Sequence, residues 1–172
     1  MSRLLIRPAQ RDDVALILAL IGELAEYEKL SDQVVATPEQ LTAHLFGERP
    51  YAEVLIGEVD DQPAGFALFF HNYSTFLSKP GIYLEDLYVR PDSRGTGLGK
   101  ALLGRLASLA VERGCGRLEW AVLNWNEPAI GFYQRLNAQP QDGWTVYRLT
   151  GSALEDLAAQ SVDRHSPRLP LS

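Results

Sequence analysis

The chain has 172 residues, 46% hydrophobic and 22% charged, with 16 basic and 22 acidic side chains and a formal charge of −6. Such a length and balance fit one globular domain that needs no metal or disulfide to hold its core, and the acidic excess argues against nucleic acid as a main partner. A net negative field suits a cationic small molecule instead. Cys115 is the lone cysteine, which excludes an internal disulfide framework or a thiolate metal site and fits a reducing, cytoplasmic setting. Placed between Gly114 and Gly116, it reads as a helix-end residue rather than a nucleophile. The start, Met1 to Pro8, becomes charged too soon for a signal peptide, and no apolar run approaches membrane-spanning length, so no membrane partner is expected.

Residues 3–7 read as a strand stopped by Pro8. From Asp12, the set Val14, Ile17, Leu18, Ile21, Leu24 and Ala25 follows helical spacing to about Glu28. Thr37, Pro38 and Gln40 supply an N-cap, a first-turn proline and a capping-box partner for a second helix. The β-rich runs 53–59 and 64–73 flank a hairpin turn at residues 60–63, and 82–89 is the next strand. Leu98, Leu102, Leu106 and Leu109 mark a helix ended by Gly114; 117–123 reads as a strand, and Asn126 caps a helix running to Leu136. Residues 144–149 are expected as a last strand, followed by a short helix capped by Ser152 with Glu155 at the box position. Residues 1–160 form the expected domain, and the aperiodic tail 161–172, with Pro167 and Pro170, is expected to be disordered.

Between strand 82–89 and the next helix lies Arg94-Gly95-Thr96-Gly97-Leu98-Gly99-Lys100. Glycines allow close backbone approach, and the first N–H groups of a helix point outward with partial positive charge, so the loop suits a phosphate or pyrophosphate. It is not a P-loop, because Arg94 stands where the first glycine is needed and Ala101 where the magnesium-binding hydroxyl belongs. It also fails the dinucleotide fingerprint, whose third glycine would come one residue later, in the first βαβ unit.

What remains is an Arg/Gln-x-x-Gly-x-Gly/Ala loop. Leu84-Glu85-Asp86-Leu87-Tyr88-Val89 followed by 94–99 resembles the acetyl-CoA motif of the GCN5-related N-acetyltransferases (GNAT), and 123–129 with Gly131-Phe132-Tyr133 resembles their second CoA segment. Five segments in order (23–28, 83–86, 125–128, 132–133 and 142–144) are similar to the diamine (spermidine/spermine) acetyltransferases and their thialysine-acetylating relatives. The resemblance spans residues 3–150. It implies a single α/β (α+β) domain with a mixed, largely antiparallel central sheet flanked by helices. It implies acetyl-CoA as co-substrate, no metal, and a homodimer exchanging C-terminal elements, for which 144–149 could serve.

Acetyl transfer to an aliphatic amine requires removal of a proton, since with a pKa near ~10.4 only about a thousandth is free base at neutral pH. The thioester carbonyl must be held and the departing thiolate protonated or stabilised. Glu85 and Asp86 are adjacent acids in an apolar strand, sent to opposite faces unless a bulge intervenes. The resemblance points to Glu85 as general base through a bound water; a cation ligand, or an acid paired with a base such as Arg94, remains open. Tyr133 holds the family's acid position, against simple packing of the helix on the sheet. Leu87, Tyr88 and Val89 would face the pantetheine arm, and Arg94, Gly95, Thr96, Gly97, Leu98, Gly99 and Lys100 the pyrophosphate. Asn126, with Ala129, matches a CoA-contacting segment, though Asn126 also reads as an N-cap. Tyr27, Glu28, Glu85 and Asp142 match acceptor positions, although Tyr27-Glu28 and Asp142 are also ordinary helix-end and loop chemistry.

Three departures stand out. Ser74-Thr75-Phe76 replaces the Asp-Pro-Trp of diamine acetyltransferases, losing a carboxylate and resembling the thialysine branch. Asn137 replaces a glycine after Tyr133, and the loop 139–142 is short, which moves Asp142. The expected activity is direct acetyl transfer in a ternary complex to a small cationic amine: a polyamine, a diamine or a lysine-like amino acid. Rivals are a protein or peptide amine, an aminoglycoside-type polyamine, and a non-catalytic CoA-binding regulatory module.

Overall fold

In a computed structural model, which describes residues 1–162, the first unit of the chain, Met1–Leu123, is built on one sheet with strand order β1-β2-β3-β4-β5. The strands are β1 Leu4–Pro8, β2 Glu53–Val59, β3 Gln62–Ser74, β4 Lys79–Val89 and β5 Leu118–Trp120. All neighbours run antiparallel except β4 and β5, so the sheet is mixed and largely antiparallel as expected. Asp60 and Asp61, at φ 50° and 65°, form the two-residue turn between β2 and β3, a geometry that matches strand twist.

Helices α1 Val14–Tyr27 and α2 Pro38–Phe46 cover one face. Their Ile17, Leu20, Leu24 and Leu45 pack with Val54, Ile56, Phe66 and Tyr88 of the sheet. The capping box of α2 forms as its sequence requires: Gln40 N–H donates to Thr37 Oγ1 at 3.2 Å, and Thr37 N–H to Gln40 Oε1 at 3.1 Å. On the opposite face lies α3 Leu98–Glu112, burying Leu98, Leu102 and Leu106, and the chain turns away at Gly114 with φ 69°.

Two glycines fix where α3 begins. Gly57 and Gly65 sit opposite each other across β2 and β3, and a Cβ on either would press on Leu98. Their absent side chains form the dent that Leu98 fills, and burying a leucine stabilises by about 1.5–3 kcal/mol. The start of α3, and the loop before it, are thereby pinned to the middle of the sheet.

The second unit begins at Asn124 and carries α4 Glu127–Arg135 and α5 Gly151–Ala159. Asn137, at φ 62°, ends α4 in the left-handed conformation, and Ala138 N–H donates back to the Tyr133 carbonyl at 3.1 Å, so asparagine replaces the usual glycine without loss of the helix stop.

Three expectations are corrected. Residues 144–149 form no strand: Trp144, Val146 and Tyr147 are exposed, and β propensity alone makes no strand without a partner to pair with. The strand expected at 117–123 ends at Trp120, where pairing with β4 stops. Helix α5 starts before Ser152, with Thr150 at its N-cap and no side-chain capping bond. The expected tail lies outside the described residues apart from Ser161 and Val162.

Candidate active site

β4 pairs with β3 along its whole length, to Val89 opposite Gly65, but with β5 only from Ile82 to Leu84. Beyond Leu84, the β5-facing edge of β4 carries backbone groups with no ladder there. Leu87, Tyr88 and Val89 lie on this edge, which suits an amide-bearing ligand arm; the Tyr88 side chain itself is buried in the core.

The glycine loop follows. Gly95 and Gly97 adopt φ 79° and 88°, values that L-residues rarely take, and a Cβ at Gly95 would meet nothing within 4 Å. Gly97 is the N-cap of α3 and offers no side-chain cap, so the N–H groups of Leu98, Gly99 and Lys100 have no intrahelical partner. Thr96 Oγ1 closes the turn by donating to the Ser93 carbonyl at 2.6 Å. Arg94 Nε donates to the Val89 carbonyl at 3.1 Å, and its guanidinium lies 5.0 Å from the Tyr27 ring centre and 6.0 Å from that of Tyr88. A cavity of about 570 Å³ opens here, lined by Arg90 and Arg94 but also by Glu23, Glu26 and Asp92, with Arg90 paired to Glu23 at 3.1 Å. The uncapped N–H groups of the loop and Arg94, rather than the cavity's acidic wall, fit an anionic phosphate group. Tyr27, expected beside the acceptor, packs against this loop's arginine.

The acids gather at a bulge. Leu68 pairs with Asp86 and Phe69 with Leu84, so Glu85 is an extra residue in β4. Leu84 is buried on the α3 side, while Asp86 shares the face of Leu68, which packs against the α1–α2 cluster. The extra residue brings Glu85 to that same face, so the two acids stand together rather than apart. Glu28 joins them from the C-terminal end of α1, where Lys29 at φ 61° stops the helix and Leu30 N–H donates to the Ala25 carbonyl at 2.8 Å.

Burial pushes the Asp86 carboxyl up to about 6, with Glu85 and then Glu28 adding to the rise. Burial also raises Glu28 above the usual carboxylate range. None of the ion pairs among the described residues includes Glu28, Glu85 or Asp86, and Arg94 is engaged elsewhere. An unpaired acidic face, partly buried, suits a cation. The sequence offers Asp86 beside Glu85 as a candidate for proton removal, and the resemblance points to Glu85. The signal is visible, two adjacent acids in an apolar strand, but the register that sets both on one face, Asp86 partly buried and Glu85 exposed, is a property of the β3–β4 pair.

In the second unit, Asn126 is buried, and its Oδ1 accepts from Ala129 N–H at 3.4 Å, so the N-cap reading holds. Tyr133 is half-buried on α4, its ring centre 5.6 Å from that of Phe132. Asp142 is exposed in the turn closed by Trp144 N–H on the Gln141 carbonyl at 3.1 Å.

The profile of the Acetyltransferase (GNAT) family matches residues 21–138. This chain belongs to that family of acetyltransferases. It is 41% identical to a thialysine N-epsilon-acetyltransferase of Bos taurus, over 93% of this chain and 100% of that one. An L-ornithine N5-acetyltransferase of Arabidopsis thaliana is 34% identical over 87% of this chain and 86% of that one. Among solved structures, an integron cassette protein of V. cholerae superposes with a TM-score of 0.76 at 26% identity, covering 90% of this chain and 97% of that one. The bulged β4 and the glycine loop are therefore parts of an acetyltransferase.

Proposed function

We propose that this acetyltransferase, as one domain over residues 1–160, moves an acetyl group from acetyl-CoA to the primary amine of a small cationic acceptor, directly and without a covalent enzyme intermediate. The observation that carries the reading is the unpaired acidic face of Glu28, Glu85 and Asp86 on the strand that leads into the glycine loop. The names of the similar proteins, which act on thialysine and ornithine, point the same way.

The acceptor arrives as an ammonium and is held by Asp86 and Glu28. Glu85 takes its proton, through a bound water as the family resemblance implies, to free the nitrogen lone pair. When bound, acetyl-CoA supplies the acetyl group as a thioester. The edge of residues 87–89 holds its pantetheine arm and offers an N–H to the thioester carbonyl, and residues 94–100 hold its pyrophosphate. In the second unit Tyr133 donates a proton or a hydrogen bond to the departing thiolate, Asn126 and Ala129 contribute to cofactor binding, and Asp142 to the acceptor.

No helix among the described residues is long and apolar enough to cross a membrane, and a cytoplasmic site of action is part of this reading. So is a homodimer. Residues 144–149 are rich in β-formers yet unpaired, and Leu154 and Leu157 of α5 are exposed, a surface that a second copy would cover.

The test is the pH profile of Glu85→Gln with a small diamine or amino acid. A base predicts the largest loss near neutral pH and recovery as rising pH deprotonates the amine unaided. Equal loss at every pH makes Glu85 a ligand of the cation and removes it as the base.

A further inference from the structure

Past the bulge, the acidic face continues across three strands. Phe70, Tyr83 and Glu119 are register partners in β3, β4 and β5, and the Phe70 and Tyr83 ring centres are 5.3 Å apart. Leu118 and Trp120 pair with Ile82 and Leu84 of the α3 side, which leaves Tyr83 and Glu119 on the side of the acids. The electrostatics agree: after burial, Glu85 and Glu119 raise the Tyr83 hydroxyl, as two carboxylates near the same ring should.

The next row is shaped by a glycine. Asn72 pairs with Gly81, where a Cβ would collide with the Asn72 amide oxygen; with the side chain absent, Asn72 Nδ2 reaches over to Glu119 Oε1 at 3.3 Å. Arg117 Nε meets the same oxygen at 2.9 Å. Both bonds fall on Oε1, so Oε2 remains available as an acceptor. The pair is accessible, with 46% of the Arg117 side chain and 35% of the Glu119 side chain exposed.

We propose that the Arg117–Glu119 pair reads the far end of the acceptor, and that this end is the ammonium and carboxylate of an α-amino acid. Glu119 takes the α-ammonium and the Arg117 guanidinium the α-carboxylate, a match of planar donors to a carboxylate. The Phe70–Tyr83 surface carries the methylene chain. Two residues along a strand cover roughly 7 Å, which a lysine-type side chain spans between its α-carbon and its terminal amine. A diamine fits less well, because its second ammonium would stand against Arg117. The pair thus restores a distal contact at a different place from the carboxylate missing at 74–76, and with a different preference. Like the choice of acceptor end, this inference rests on the acidic face being the amine site.

The experiment compares kcat/KM for lysine, Nα-acetyl-lysine, cadaverine and pentylamine in the wild type, Arg117→Gln and Glu119→Gln, read as thiol release at saturating acetyl-CoA. Ratios between acceptors are used because they do not depend on how much of a variant is folded. The wild type is expected to favour lysine over cadaverine. Arg117→Gln should lower the lysine-to-pentylamine ratio about tenfold, and Glu119→Gln should lower the lysine-to-Nα-acetyl-lysine ratio about tenfold, the scale of one charge-assisted contact. Turnover of the amines with ratios unmoved by either variant, or a wild-type preference for cadaverine, overturns the inference while leaving the amine site standing. No turnover of any of the four overturns both.

Discussion

β4 ends in two regions of opposite electrical character. The glycine loop at its C-terminal end presents backbone N–H groups and Arg94, and its binding capacity is built almost wholly from main chain held by Gly57, Gly65 and Leu98. The bulge a few residues earlier presents carboxylates, and its capacity is built from side chains drawn together by a register shift. On the proposed reading, one strand offers an anion-binding end and a cation-binding end, with the reacting groups between them. Because the two ends are built differently, they should fail differently.

The sharpest break is at the cation end. Glu85→Gln combined with Asp86→Asn should lower kcat/KM for a small amine by about a thousandfold, the range of a lost general base, while acetyl-CoA affinity measured by calorimetry changes little. Next, Tyr133→Phe should slow turnover by about a hundredfold in stopped-flow thiol release with acetyl-CoA affinity nearly intact, because the role proposed for the hydroxyl is on the leaving group. Unchanged turnover would remove it from the mechanism.

Asp86→Asn alone sharpens the comparison through stability. The Asp86 carboxyl sits at about 6 in the fold, above its unfolded value, so the native state binds the extra proton and the wild type loses stability as pH rises from about 4 to about 6. The variant has no such charge to bury. Denaturant unfolding should find it more stable than the wild type at pH 8, by on the order of 3 kcal/mol, with this advantage gone below pH 4. Binding is weakened while the fold is strengthened, as expected of an acid kept for a ligand.

The smallest effect belongs to the anion end. Gly57→Ala pushes on Leu98 and so on the start of α3. It should raise KM for acetyl-CoA by about tenfold and leave KM for the amine nearly unchanged, in steady-state kinetics with each substrate varied.

What the sequence reveals follows the same division. The loop, the capping box at Thr37 and Gln40, and the left-handed Asn137 are local devices whose residues lie within a few positions of each other, so spacing discloses them. The face shared by Glu85 and Asp86 depends on which β3 residue each β4 residue meets, and a single extra residue reverses the answer. Glu119 belongs to the site only because β5 runs beside β4 for three residues. Residues 144–149 show the converse: strand-like composition is present, and pairing is not.

The measurement closest to the central claim is acetyl-CoA-dependent thiol release by the wild-type protein, with thialysine, ornithine, lysine, spermidine, putrescine and a short lysine peptide offered in parallel. The account expects turnover on at least one free small amine, well above that on the peptide. Turnover confined to the peptide, or acetyl-CoA binding with no transfer to any of them, would contradict it.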